Sequence, residues 1–299
     1  MRIRRAFIGL AACAAVIAPS VAGAVTLDGN SGDNTLTGSD SADTITARGG
    51  NDTVDARGGN DQVTAGGGHD RVDGGGGDDV LKLNAGNDRG TGGPGRDDTN
   101  GGGGDDEVTG GDGNDRVMLG VGDDVGFGGP GNDWMHGIDG VDQVYGEGGD
   151  DYVQGGKGND RVDGGAGDDE VDGDEGNDVL LGGPGDESGR DASGGLRDIT
   201  GDAGDDVIYP GDGRDNVYGE EGDNHIIATD DGVEDEIFCA LKSGTERGTL
   251  TYLGRIDERD HIGQNSLGVS TCRIEVVATP AKLRALKRSL PAGAWHVPS

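Results

Sequence analysis

From Gly50 onward the sequence can be cut into lines of nine residues: GNDTVDARG, GNDQVTAGG, GHDRVDGGG, GDDVLKLNA. Each line opens on glycine, and the glycine recurs through Gly185 and Gly194. An aspartate stands two places later, unbroken from Asp43 to Asp178. Two places further comes an apolar residue: Ile45, Val54, Val63, Val72, Leu81, Val108, Val117, Met135, Val144, Val153, Val162, Val171 and Leu180. Gly90, Thr99 and Gly126 break that apolar series, and they read as places of local softness. An earlier line begins at Gly32, with Asn34 and Leu36 in register. The phase slips once, in GDESGRDASGGLRDITGDA (185–203), which carries one extra residue. It resumes at Gly204, Gly213 and Gly222, for about twenty-two units between residues 32 and 230.

A fixed internal period outranks local propensity as a structural signal. Nine is not a helical period, and lines with up to four glycines disfavour helix strongly. Each line holds one short strand-like piece such as DRVDG, centred on a single branched apolar residue. The rest is turn chemistry: glycine takes positive φ, and the neighbouring Asn51, Asn60, Asn132, Asn159 and Asn177 tolerate the same region. The expectation is an all-β array of tight acidic turns and strands about three residues long. One apolar side chain per line buries too little to hold a unit alone, so neighbouring units must stack. Stacking brings carboxylates together, and something positive must enter the turns to offset their repulsion.

Composition sharpens that requirement. Of 299 residues, 66 are glycine, 58 acidic and only 24 basic, for a formal charge of −34. Nucleic acid is excluded as a partner because its phosphates would be repelled. Cations are the natural partners of such a surface. At the amino end Arg2, Arg4 and Arg5 precede an apolar run over 6–18, and Ala22-Gly23-Ala24 is an A-x-A cleavage signal. Residues 1–24 therefore read as a signal peptide. LAAC (10–13) is similar to a lipoprotein signal and RRAFI (4–8) to a twin-arginine signal, so the export route stays open. No transmembrane segment is expected in the rest of the chain. Once Cys13 leaves with the leader, Cys239 and Cys272 form an even pair in an exported protein. That points to one disulfide, with two unpaired thiols as the alternative.

GGPGNDWMH (128–136), GGKGNDRVD (155–163) and GGAGDDEVD (164–172) resemble the glycine-rich nonapeptide GGxGxDxUx of the repeats-in-toxin (RTX) calcium-binding proteins. The resemblance covers about two-thirds of the chain. It implies a parallel β-roll, a β-solenoid with two nonapeptides and eighteen residues per turn. It also implies multiple calcium ions between successive turns, held by aspartate carboxylates and backbone carbonyls of the glycine-rich segments. By the same resemblance Asp52, Asp70, Asp88, Asp106, Asp124, Asp142, Asp160 and Asp178 line one edge. Asp43, Asp61, Asp79, Asp97, Asp115, Asp133, Asp151 and Asp169 line the other, and Asp206 and Asp215 continue the pattern past the slip. Glu187 and Asn224 stand where aspartate is expected, which marks those turns as candidates for having no ion. Calcium suits such turns because it takes six to eight hard oxygens in flexible geometry, whereas magnesium demands a tighter octahedron.

The expected organisation is a signal peptide over 1–24, a calcium-binding β-roll over 25–230, a small β-rich disulfide cap over 231–278 and a basic tail over 279–299. AKLRALKRSL (281–290) is a short basic helix candidate, either a solvated terminal helix or disordered tail, or a segment docking on the acidic roll or an anionic envelope. No catalytic residue is found. His69, His136, His225, His261 and His296 form no H-E-x-x-H, and no serine sits in G-x-S-x-G. His69 and His136 fall at variable, solvent-facing positions of the repeat. The resulting reading is a secreted, non-enzymatic calcium-binding protein with a structural or adhesive role, acting on a cell-surface or matrix partner. The alternative is a secreted hydrolase whose activity lies in the carboxy-terminal region. A Gly-Asp chain of low complexity without a defined fold is opposed by the unbroken register.

Overall fold

In the strand Thr44–Gly49 (TITARG), Ile45 and Ala47 are buried while Thr44 and Arg48 face water. This alternation is the period of two that a strand imposes on its side chains. The same alternation recurs in one short strand per nonapeptide, and the glycine-rich remainder turns the chain into the next. The structure, a computed structural model, describes residues 16–17, 23–187, 198–229, 236–238, 248–253, 261–262 and 272–276. Most of the expected leader, both cysteine side chains of the expected disulfide and the basic stretch 281–290 lie outside the described residues. No helix occurs among the described residues, so none is long and apolar enough to cross a membrane.

The chain forms two compact units, Met1–Gln143 and Val144–Ser299. In the first, successive strands alternate between two parallel sheets. Thr44 pairs with Gln62 and Gln62 with Val80 in one sheet; Thr53 pairs with Arg71 in the other. From Thr26 on, every step in this unit is eighteen residues, two nonapeptides, so each coil contributes one strand to each sheet (62 − 44 = 18). The inward residues Leu36, Ile45, Val54, Val63, Val72 and Leu81 are no more than 1% exposed and form the core. The unit is a parallel β-solenoid, as the period and the resemblance predict.

The second unit repeats the architecture, with Tyr152 opposite Glu170 and Arg161 opposite Val179. At the phase slip Val171 pairs with Ile199 and Val179 with Val207, steps of 28 residues. The one extra residue in the sequence is thus accommodated as a coil ten residues longer than its neighbours, and stacking resumes at eighteen with Ile199 opposite Val217. Beyond the repeats the strands Glu236–Phe238, Gly248–Leu253, His261–Ile262 and Cys272–Val276 extend the same two parallel sheets. Their spacing is looser: Val217 pairs with Ile237 and Ile237 with Ile262. Tyr218 and Phe238, opposite in register, stack with ring centroids 5.2 Å apart.

The breaks at Gly90 and Gly126 are not soft. A Cβ at Gly90 would lie 2.9 Å from Leu83 Cδ1, and one at Gly126 would lie 2.8 Å from Leu119 Cδ2. Leu83 and Leu119, both fully buried, occupy the volume that a valine seven residues later fills in other coils. Elsewhere the pair is small then large: Ala47 with Val54, Ala56 with Val63, Ala65 with Val72. The core volume is conserved by moving the bulk from one sheet to the other, as close packing requires.

Candidate metal sites

The aspartates occupy one position of the repeat turn, just before a strand begins, and they are buried. All eighteen predicted site aspartates, from Asp43 through Asp215, are between 0% and 4% exposed. Backbone geometry forces them inward. The next residue begins a strand with its side chain out, so the aspartate side chain turns in under the coil.

Each carboxylate is held by the coil before it. Asp97 Oδ1 accepts the N–H of Asp79 at 2.8 Å, and Asp115 Oδ1 accepts the N–H of Asp97 at 2.8 Å. The pattern makes two ladders in the first unit. One runs Asp52, Asp70, Asp88, Asp106, Asp124, Asp142. The other runs Asp43, Asp61, Asp79, Asp97, Asp115, Asp133. In the second unit Asp151 is bonded to Asp169, and Asp160 to Asp178 and on to Asp206. Asp215 Oδ1 accepts the Glu187 N–H across the long coil. Within each unit these hydrogen bonds join carboxylates one coil apart, at steps of eighteen residues and of 28 at the long coil.

The other oxygen is the chemically open one. The Oδ2 atoms of Asp52, Asp61, Asp70, Asp79, Asp88, Asp97, Asp106, Asp115, Asp124, Asp178 and Asp206 are buried without a hydrogen-bond partner. An ionised oxygen so placed is costly unless a positive charge accompanies it. Burial raises the carboxyls of Asp61, Asp97, Asp106, Asp178 and Asp206 to about 7, and those of Asp52, Asp79 and Asp124 to about 6. The backbone N–H at Oδ1 opposes this in part. For Asp97 the carboxylates of Asp115 and Asp79, one coil away on either side, add to the rise.

Carbonyl oxygens converge on the same places. A Cβ built on Gly110 would stand 2.6 Å from Asp115 Oδ2 and 2.7 Å from the Gly128 carbonyl oxygen. On Gly74 it would stand 2.6 Å from Asp79 Oδ2 and 2.7 Å from the Gly92 oxygen, and on Gly173 2.7 Å from Asp178 Oδ2 and 2.9 Å from the Gly201 oxygen. Absence of a side chain at the first residue of the turn leaves a cradle edged by carboxylate and carbonyl oxygen. The second residue takes positive φ: Gly111 has φ 122°, and a Cβ there would fall 2.1 Å from the Gly93 oxygen. Among the described residues eight non-glycines, including Arg48, Arg57, Asn84 and Ile138, hold this same position at positive φ. Among the described residues no three His, Cys, Asp or Glu side chains gather as a metal-binding group. A cation here would take one carboxylate oxygen from a turn and complete its shell mainly from backbone carbonyls. That donor set is all hard oxygen and flexible, and fits calcium.

Three turns were flagged by the sequence or escaped it. Glu187, fully buried, keeps a carboxylate at the aspartate position, and burial together with the Asp215 carboxylate holds it far above its usual range. Asn34 and Asn224 present amides there, buried at 4% and 0% exposure. The histidines in the repeats belong to the outer face: His69 is exposed and its Nδ1 meets the Asn87 N–H at 2.9 Å, while His136 is half-buried with its ring edge-on to Trp134 at 5.8 Å.

The family model of the RTX calcium-binding nonapeptide repeat matches residues 28–63, 64–99, 91–126, 120–153, 127–162, 154–186 and 198–229. Comparisons with curated proteins and with solved structures found no match.

Proposed function

The chain belongs to the RTX calcium-binding nonapeptide repeat family, and we propose that it is an exported, non-enzymatic protein whose repeats fold when they bind calcium. The observation that carries this reading is the row of buried, unpartnered Oδ2 atoms from Asp52 to Asp124. A single buried carboxylate can be tolerated by protonation, but a periodic series of them, each beside a glycine cradle, calls for a periodic counter-charge. Calcium ions would supply it, with Asp52, Asp61, Asp70, Asp79, Asp88, Asp97, Asp106, Asp115, Asp124, Asp133, Asp142, Asp151, Asp160, Asp169, Asp178, Asp206 and Asp215 as side-chain ligands. At the millimolar calcium found outside cells, sites with dissociation constants of about 10⁻⁴ M are filled. Binding to the folded form alone then adds stability at every site.

The role outside the cell is structural or adhesive on this reading, with residues 1–24 as the export leader and the carboxy-terminal strands closing the end of the roll. Cys239 and Cys272 are joined in the mature protein. Equilibrium dialysis against radioactive calcium tests the reading: several ions per chain, retained against excess magnesium, are expected. A chain that retains no calcium at millimolar concentration contradicts it. Peptide mapping of the exported protein reads the Ala24 cleavage and the disulfide, and two free thiols would remove the latter.

A further inference from the structure

Among the described residues, three turns solve the buried-carboxylate problem without a cation. In the Asp115 turn, Oδ1 accepts the Asp97 N–H and Oδ2 has no partner. In the Asn224 turn, Oδ1 accepts the Asp206 N–H at 2.9 Å in the same way, but the second arm is an amide nitrogen, and it donates to the Gly219 carbonyl. The opposite amide orientation would set Nδ2 against the Asp206 N–H, donor against donor, so the hydrogen bonds fix this one. Gly219 is five residues before Asn224, as Gly110 is five before Asp115. The amide thus places a proton where the aspartate turns place a bare lone pair, and no charge is buried.

At the other end of the repeats Asn34 is also closed by hydrogen bonds, but in the opposite sense: its Oδ1 faces the Gly29 cradle and accepts the Asn30 N–H at 2.7 Å, and its Nδ2 donates to the Gly32 carbonyl at 2.5 Å. Asp43 is closed by different means. Its Oδ2 accepts the Ser39 N–H at 2.6 Å, and its Oδ1 accepts the Val25 N–H at 2.6 Å and the Ser39 hydroxyl at 3.1 Å. In both amino-terminal turns the second residue, Asn30 or Ser39, is outside the positive-φ series that runs from Arg48 onward, and its N–H points at the side chain of the sixth.

All three turns stand outside the sequence span Asp52 to Asp215. We propose that Asn34, Asp43 and Asn224 form cation-free closing turns, so that the calcium array is bracketed in sequence by turns completed with hydrogen bonds alone. This rests on the calcium reading for the turns between, and it removes Asp43 from the expected ligand set. A hydrogen-bonded turn next to Asp52, Asp61 and Asp206 spares those places an ion with a neighbour on one side only, which would be held by half a shell.

Exchanging the two chemistries tests it. Asp115→Asn should lower the number of calcium ions bound per chain while keeping the folded signal, and should shift half-folding to a lower calcium concentration. Asp115→Ala should lose binding too but shift half-folding to a higher concentration, because the Asp97 N–H is then left unmade. Asn224→Asp should bind more calcium than the parent protein and raise the concentration needed. If the parent binds no calcium, the functional reading has failed, and the melting temperatures of the same variants in chelator still rank Asn above Asp and Ala at position 115. Identical behaviour of Asp115→Asn and Asp115→Ala, or an Asn224→Asp variant unchanged in both ion number and stability, overturns the proposal.

Discussion

Leu83 and Gly90 face each other across the core from opposite sheets, and their sizes are matched. Truncation by Leu83→Ala removes a fully buried isobutyl group beside a residue that has no side chain to relax into the space. A loss of about 3 kcal/mol is expected, the ordinary value for a leucine cavity that cannot collapse. Gly90→Val in the parent background is the opposite error. Its Cβ alone would stand 2.9 Å from Leu83 Cδ1 and 3.4 Å from Cδ2, well inside contact, and overpacking of this kind costs about 2 kcal/mol. Gly90 is not in a positive-φ conformation, so backbone strain adds nothing. Together the two changes recreate the arrangement of Ala47 with Val54 or Ala56 with Val63. The double variant should lose only about 1 kcal/mol, a coupling of roughly 4 kcal/mol between residues seven apart. Denaturant unfolding at saturating calcium measures all four corners of the cycle, with the midpoint and slope compared. Additive losses would show that Leu83 does not serve as the missing core residue of the Gly90 coil.

The carboxyls raised to about 7, such as Asp97, carry a signed pH dependence. Their folded values lie above the unfolded ones, so in chelator this contribution to stability is fully present near pH 4 and is lost as pH rises through 7. Circular dichroism in chelator should show more strand at pH 4 than at pH 7.5, and equal signals would refute the burial argument. Thr99 is fully buried with its hydroxyl unpartnered, so Thr99→Val should raise the unfolding free energy by about 1 kcal/mol, read from denaturant melts. Ile138 holds φ 93°, a region that penalises a β-branched side chain, and Ile138→Gly should stabilise by about 1 kcal/mol in the same assay.

The sequence carries the architecture because the nonapeptide maps onto the structure without remainder. A glycine, an aspartate and a valine at fixed offsets are a cradle, a buried carboxylate and a core residue, and doubling nine gives the observed register of Ile45 on Val63 and Val63 on Leu81. What escaped it depends on pairs rather than on columns. The Gly90 and Gly126 breaks look like defects when each column is read alone, and only the position of Leu83 and Leu119 on the facing sheet shows the exchange of volume. Asn34 and Asn224 differ from aspartate by one nitrogen for oxygen, and their meaning lies in the carbonyls of Gly32 and Gly219, which only the folded turn brings near. The 28-residue coil hides in the sequence because ten added residues shift a nine-residue phase by one. The parallel extension by Gly248–Leu253 and Cys272–Val276 has no period to announce it, since those strands pair at spacings the repeats never use.

The central claim is that counter-charge from calcium makes this fold possible. Far-UV circular dichroism of the chelated chain at pH 7.5, followed through a calcium titration, tests it most directly. The account predicts a largely unordered spectrum in chelator and a steep, cooperative rise of parallel β signal as calcium fills the turns, with magnesium far less effective. A chain with the same β content in chelator as in millimolar calcium would contradict it.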